Sequence, residues 1–362
     1  MAAAVALVCA AGVAFPFQKE KKEPVTQVLP EPPELPLLAS GATVRLAFHA
    51  TPLSARGLLS EQTRDALKAL TRDAGGGTVI HIRAFVAGTG DIRRVRDLVG
   101  ETFSAKGQQL PSLSLVRVGS LAMTGAQVEL EAETESKKDV NPNGLAFFSA
   151  QPATADDPLS PVEPLARRAL ESLRQNLAAA SVVPADVLRL TCYFSSLDEG
   201  VALRGLVASE YPRAAASFIQ PQRAPGHAVA AIEAVARLRR QGPFGVRLIG
   251  EDVSRNGAAT VALSAAPSLI FTGSQESFGY EERDGKLAVD RLRAVLERNG
   301  ATPGAILLTR WYPLGTGIAG QIAALRKGWF GNAQPPAELL LLFEGLPSMD
   351  TGMAVDAVAI KY

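Results

Sequence analysis

Residues 127–133 read QVELEAE, and two related stretches lie further along the chain, AAIEAVA at 230–236 and AVDAVAI at 354–360. All three are β-rich, and all three keep one carboxylate at a shared place: Glu131, Glu233 and Asp356. An internal repeat makes such a comparison possible within a single sequence. Working outward from these stretches, each one closes a segment of similar plan.

The middle segment is the plainest. Leu145–Ser149 is a short apolar strand, and Ser160-Pro161-Val162-Glu163 has the form of a capping box with proline at the first helical position. Leu165, Ala169, Leu170, Leu173 and Leu177 then form one apolar stripe, with Arg167, Arg168, Glu171 and Arg174 off it. Val187–Ser195 is β-rich, Leu197–Tyr211 reads as a second helix stopped by Pro212, and Val229–Ala236 closes the unit. The first segment follows with strands at Val44–Phe48 and Thr78–Val86 and helices at Ser60–Leu70 and Ile92–Phe103. Its closing strands are Leu115–Val118 and Gln127–Ala132. The third offers Leu269–Thr272, Leu287–Arg298, Ala305–Tyr312, Ile318–Phe330, Leu339–Phe343 and Met353–Ile360, with Arg239–Thr260 as an added opening hairpin. The expected fold class is α+β, built from three tandem ββαβαβ-type modules at 39–135, 136–242 and 243–362.

The 362 residues carry 37 Lys+Arg against 36 Asp+Glu, a net charge of +1, with 6% aromatics. That balance argues against a nucleic-acid surface, which needs clustered cations and stacking rings. A hydrophobic content of 47% excludes an intrinsically disordered chain. The run Ala2–Phe15 is too short to span a bilayer as a helix. It ends in Gly12-Val13-Ala14, which resembles a signal-peptidase site, but lacks the positively charged start. Export, with no membrane span in the mature protein, is the leading expectation and a cytoplasmic chain the alternative. Residues 17–38 are a proline-rich, solvated linker, so that 1–38 stands apart from the modules. Cys9 would leave with a signal peptide, so Cys192 is left without an intrachain partner and reads as a small buried hydrophobe.

One dinucleotide-like motif occurs, Gly315-Thr-Gly-Ile-Ala-Gly320 between a strand and a helix. The preceding strand carries Arg310 and Pro313, too little chain follows for a Rossmann sheet, and the matching loops at Gly88–Asp91 and Ser196–Gly200 lack the glycines. A glycine-permitted turn is the preferred reading. His49, His81 and His227 show no metal-ligand spacing. No metal site and no cofactor are expected. The alternation of Glu129 and Glu131 with Val128 and Leu130 looks like a solvated strand face, which is the plain alternative to a site for the shared carboxylates.

The stretch LPSLSLVRVGSLAMTGAQVELEAE (110–133) resembles the C-terminal signature of the RidA family, also called YjgF or endoribonuclease L-PSP. SAQP (149–152) and TGSQ (272–275) resemble its Ser-Gly-Gln stretch. The resemblance covers residues ~40–362 in three copies. It implies a chorismate-mutase-like fold with sheets inward and helices outside. It also implies an intramolecular pseudo-trimer that needs no partner chain, with a small-molecule cleft at each module boundary. Active relatives hydrolyse enamines and imines such as 2-aminoacrylate to a 2-keto acid and ammonia. In them a signature arginine binds the substrate carboxylate and a closing-strand glutamate positions water. Carried over, that glutamate falls on Glu131, Glu233 and Asp356, the catalytic candidates. The arginine falls on Leu113, Ala216 and Glu338, none of which can clamp a carboxylate.

The implied substrate-binding candidates are Ser149, Gln151, Ser274 and Gln275, with His49 at the corresponding place in the first copy. Arg96 and Arg204, near the family's helix asparagine, are candidate anion anchors, and exposed helix charges are the plainer account of them. The functional expectation is a non-canonical RidA-like protein binding a small keto- or imino-acid-like metabolite. An enamine/imine deaminase with a relocated cation, and an interaction protein with vestigial clefts, are the alternatives.

Overall fold

The computed structural model describes residues 31–252 and 256–362, which leaves the signal-like run and most of the linker outside the described residues. Three sheets organise the chain from Pro32 onward. In the first, β2 (Leu46–Ala50), β3 (Thr78–Ala87), β4 (Ser112–Val118) and β6 (Val128–Glu135) lie in the order β2-β6-β3-β4. The second contains β7 (Leu145–Ala155), β8 (Val187–Phe194), β9 (Ala215–Gln220) and β10 (Ala228–Arg237), in the order β7-β10-β8-β9. The third has β13 (Ser268–Thr272), β15 (Ile306–Pro313), β16 (Ala337–Leu340) and β17 (Thr351–Ile360), in the order β13-β17-β15-β16. In all three the closing strand sits antiparallel between the first two, and the one parallel pair joins the strands around the second helix. That pair needs a crossover, and the helix supplies it.

Two helices accompany each sheet: α1 (Leu59–Asp73) and α2 (Ile92–Ser104), α3 (Val162–Ala179) and α4 (Gly200–Glu210), α5 (Glu282–Arg298) and α6 (Thr316–Phe330). Their buried faces repeat every three or four residues. In α1 they are Leu59, Gln62, Thr63, Ala66, Leu67 and Leu70, packed against Ile82 and Leu130. The Asp91 side chain accepts from Arg93 N at 3.0 Å and caps α2. Ser160, expected to cap α3, makes no such bond, and Pro161 occupies the cap position. Without an N–H, proline there leaves no reciprocal bond to form. Among the described residues no helix is long and apolar enough to cross a membrane.

Strands cross between the sheets in three places. β1 (Leu38–Ala42) pairs with β13 of the third sheet, and β5 (Ser120–Leu121) pairs with β9 of the second. The hairpin of β11 (Arg247–Ile249) and β12 (Val261–Ser264) forms as expected, but it extends the second sheet through β7 and not the third. The linker is also shorter than expected. Leu35 packs on the first core and the Leu37 carbonyl accepts from Gly273 N at 2.9 Å.

The faces turned away from the helices meet in an interior shared by all three sheets, where Phe85, Tyr193, Tyr312 and Phe343 pack edge to face. Beside these rings lies a buried ionic cluster. Arg83 of β3 donates to Glu131 and to Glu233 Oε2 at 3.4 Å. Arg189 of β8 donates to Glu133 and to Glu233 Oε1 at 2.8 Å. Arg310 of β15 reaches Glu233 Oε1 at 2.8 Å and Asp356 Oδ1 at 3.3 Å. Glu131 also accepts from Thr191 at 2.6 Å, and Asp356 from Ser114 at 2.6 Å and Tyr312 at 2.9 Å. Every charged member is at most 2% exposed. The solvated strand face expected at Glu129 and Glu131 is therefore overturned, because that face looks into the protein.

Burial alone would raise the pKa of Glu233, but Arg310 and Arg83 outweigh it and hold the carboxyl well below the usual range. A depressed carboxylate contributes stability above its unfolded pKa of about 4.3, lost as pH falls toward the folded value. Glu233→Gln is expected to cost about 3–5 kcal/mol at pH 7, because three arginines lose their common counter-charge. Thermal unfolding followed by circular dichroism from pH 3 to 8 should show this loss, narrowing as the pH drops below about 4.

Candidate functional site

Corresponding register positions in the three sheets meet different surroundings. Leu113, Ala216 and Glu338 each sit on the parallel strand, opposite Ile82, Leu190 and Thr309. At Leu113 the boundary is shut. Its carbonyl accepts from Ser274 N at 3.3 Å, and a side chain on Gly273 would come within 2.7 Å of that oxygen. At Glu338 it is also filled, since the fully buried carboxylate lies 3.4 Å from Arg326 Nε and its own N–H donates to Ser149 Oγ. At Ala216 there is a cavity of about 340 Å³, between β2 and its extension (Ala50–Leu53), β9 and α4.

Three polar side chains line that cavity: Thr51, Glu129 and Arg204. Glu129 projects from β6 opposite Phe85 and is 3% exposed. Its Oε2 has no hydrogen-bond partner among the described residues. Burial, reinforced by the negative charge of Glu131 and only partly offset by the Ser217 hydroxyl, pushes its pKa well above the carboxylate range. Its surroundings therefore favour the neutral carboxylic acid, the form able to donate. The matching positions on the other closing strands are Ala231 and Ala354, opposite Tyr193 and Tyr312, so one boundary of three carries an acid there. Arg204 comes from α4 and donates through Nη1 to the Ala122 carbonyl at 2.6 Å, leaving further N–H groups for an anion. Thr51 Oγ1 accepts from Leu130 N at 3.0 Å, and its hydroxyl hydrogen remains to donate. A cavity with one cation and one acid of raised pKa has the groups to hold a small carboxylate and to deliver a proton to it.

The other sequence candidates lie elsewhere. Glu131, Glu233 and Asp356 are in the ionic cluster, each bound by arginine. The hydroxyl of Ser149 is not spare, since it donates to the Ala259 carbonyl at 2.6 Å and accepts from Glu338 N. Gln151 is half-buried on β7, and Gln275 is buried on β14 (Gln275–Phe278) opposite Val355. Ser274 is half-buried against Leu113. Arg96 is half-exposed and ion-paired with Glu276 at 3.5 Å. His49 binds Thr134 Oγ1 at 2.8 Å, and buried His81 must donate from Nδ1 to Ser112, whose own proton goes to the Phe271 carbonyl. Cys192 is buried and its thiol is pushed up out of reach of ionisation, first by burial. Of the proposed residues only Arg204 lines the open cavity. Glu129 was missed, although its mismatch with Ala231 and Ala354 is visible in the sequence.

No family profile and no curated protein matches this chain. Solved structures do. Rv2704 from Mycobacterium tuberculosis, of the YjgF/YER057c/UK114 family, is 18% identical over 25% of this chain and 78% of its own, with a TM-score of 0.24. NMB1025 from Neisseria meningitidis, a YjgF family member, is 16% identical over 33% and 97%, with a TM-score of 0.25. The Rid family protein YyfB from Yersinia pestis is 17% identical over 32% and 98%, with a TM-score of 0.29. This chain is thus similar, over a quarter to a third of its length, to solved YjgF/Rid structures.

An acid whose folded pKa is raised stabilises the fold only while protonated, and that contribution is lost as pH rises from the unfolded value of about 4.3 through the folded one. Glu129→Gln is expected to leave the melting temperature unchanged near pH 4 and to raise it at pH 8. Calorimetry at the two pH values checks the sign, which is opposite to that for Glu233→Gln.

Proposed function

We propose that this chain is a RidA-like protein of three tandem modules folded as an intramolecular pseudo-trimer. It binds a small keto- or imino-acid-like metabolite at the boundary between the first and second modules. The observation that carries this reading is the pairing, on one cavity, of the buried acid Glu129, whose Oε2 has no partner among the described residues, with the Arg204 guanidinium. The common strand order of the three sheets supports the modular part. The signature arginine is absent at all three boundaries, and Arg204 supplies the cation from a different element.

The protonated state of Glu129 favours one step further, an enamine/imine deaminase. The acid would protonate C3 of 2-aminoacrylate, giving the iminium. Its conjugate base would take a proton from the water that attacks C2, the regained proton would leave with ammonia, and the hydroxyl proton of the collapsing carbinolamine would return to Glu129, giving pyruvate and the starting acid. One enamine and one water become one keto acid and one ammonia. The register positions of Leu113 and Glu338 are filled, which fits a reading in which they hold no carboxylate-binding group.

Calorimetric titration with pyruvate tests the binding, and enzymatically supplied 2-aminoacrylate tests the chemistry. Saturable pyruvate binding is expected, weakened about 10- to 100-fold in Arg204→Ala, the usual range for losing a hydrogen bond to a charged group. Pyruvate release should exceed the spontaneous rate and fall about 10²–10⁴-fold in Glu129→Gln. Release at the spontaneous rate removes the deaminase and leaves the binding protein. Absence of pyruvate binding removes both.

A further inference from the structure

A second cavity, of about 310 Å³, lies where the segment following β9 faces α6 and the end of the third sheet. Its walls are Pro152, Pro221, Pro225 and the run Leu340–Leu342. The polar groups are uncharged hydroxyls and amides at Ser195, Thr154, Gln222 and Thr316, together with the imidazole of His227. No lysine, arginine or carboxylate is among the described residues lining it. The size is at the lower end for a small-molecule pocket. An ion entering here would shed water without a charged partner to replace it, whereas an apolar body would gain from burial.

The walls are held in place before any ligand arrives. Gln220 and Pro221 carbonyls both accept from Gly119 N, at 2.8 and 3.2 Å. Arg223 N donates to Glu344 Oε2 at 2.9 Å, which ties the segment to the chain beyond β16 (Ala337–Leu340). Ser195 and Val229 exchange two bonds, Ser195 N to the Val229 carbonyl at 2.8 Å and Val229 N to Ser195 Oγ at 3.0 Å. Ser195 is 4% exposed, and since its oxygen accepts, its hydroxyl hydrogen is free to donate to a ligand. Three prolines with fixed φ add to this rigidity, which lowers the ordering cost of binding.

We propose that this cavity is a second binding site, for a small uncharged molecule with an apolar ring or branched chain and one hydrogen-bond acceptor or N–H group. It shares no lining residue with the Glu129 cavity and does not rest on the function proposed for that cavity.

Indole and benzoate, of similar bulk but different charge, serve as probes on the full chain, by ligand-observed NMR and calorimetry. Saturable one-to-one binding of indole is expected, with benzoate at least 10-fold weaker. Ala319→Trp and Thr316→Trp, on the exposed first turns of α6, should each fill the cavity and weaken indole at least 10-fold. Glu129→Gln and Arg204→Ala should leave indole binding within twofold. No saturable indole binding, benzoate binding as tight as indole, indole unaffected by both tryptophan variants, or indole lost in Arg204→Ala would each overturn the proposal. Two independent filling variants, each checked by circular dichroism, separate occlusion from misfolding.

Discussion

Three arginines from three sheets converge on Glu233, and the arrangement of the whole chain depends on that convergence. Burying a guanidinium is costly unless its charge is matched and its N–H groups are used. Arg83, Arg189 and Arg310 meet that condition only when the sheets present Glu131, Glu133, Glu233 and Asp356 together. Apolar contacts such as those among Phe85, Tyr193, Tyr312 and Phe343 hold the sheets together with little directional preference. The ionic cluster adds direction, since a rotation of one sheet against another would strand a charge.

The same cluster shapes the candidate site at one remove. Glu131 is kept ionised by Arg83 and Arg189, against the pull of burial. Glu129 stands two residues away on the same face and has no such partner, so the charge on Glu131 helps to keep it protonated. The pKa values of neighbouring glutamates on one strand are thus pushed in opposite directions. This separation of roles comes from which arginines are within reach and not from any difference in the side chains themselves.

Much of the fold was legible because its elements repeat a periodic pattern. The helices at 59–73, 92–104 and 282–298 and the closing strands fell within a few residues of expectation, since an apolar stripe or an alternating face declares itself locally. The short strands did not. β9 carries Ala215 and Ala216 in place of β-branched residues, and β1 and β5 exist only because a distant edge accepts them. The carboxylates expected to serve a site are instead bound by arginines, for a related reason. Glu131, Glu233 and Asp356 drew attention by being alike in three copies, and likeness at a three-way meeting point reflects a shared structural demand. Glu129 differs from Ala231 and Ala354 at the matching register, and that difference between the three sheets is the signal that likeness obscured. The arginines that bind these carboxylates, at 83, 189 and 310, are single charges within β-rich strands, and nothing local announces that they face each other.

The exchange of strands between sheets has a consequence for how the chain is made. β1 enters a sheet with β13, and Thr43 donates to the Ala266 carbonyl across a separation of 223 residues. On a ribosome, the partner for this early strand does not yet exist when Leu38–Ala42 emerges. An unpaired edge of this kind invites pairing with other nascent chains. The third sheet therefore completes only once Thr351–Ile360 has been synthesised, long after its first strand, however independent the segments look on paper.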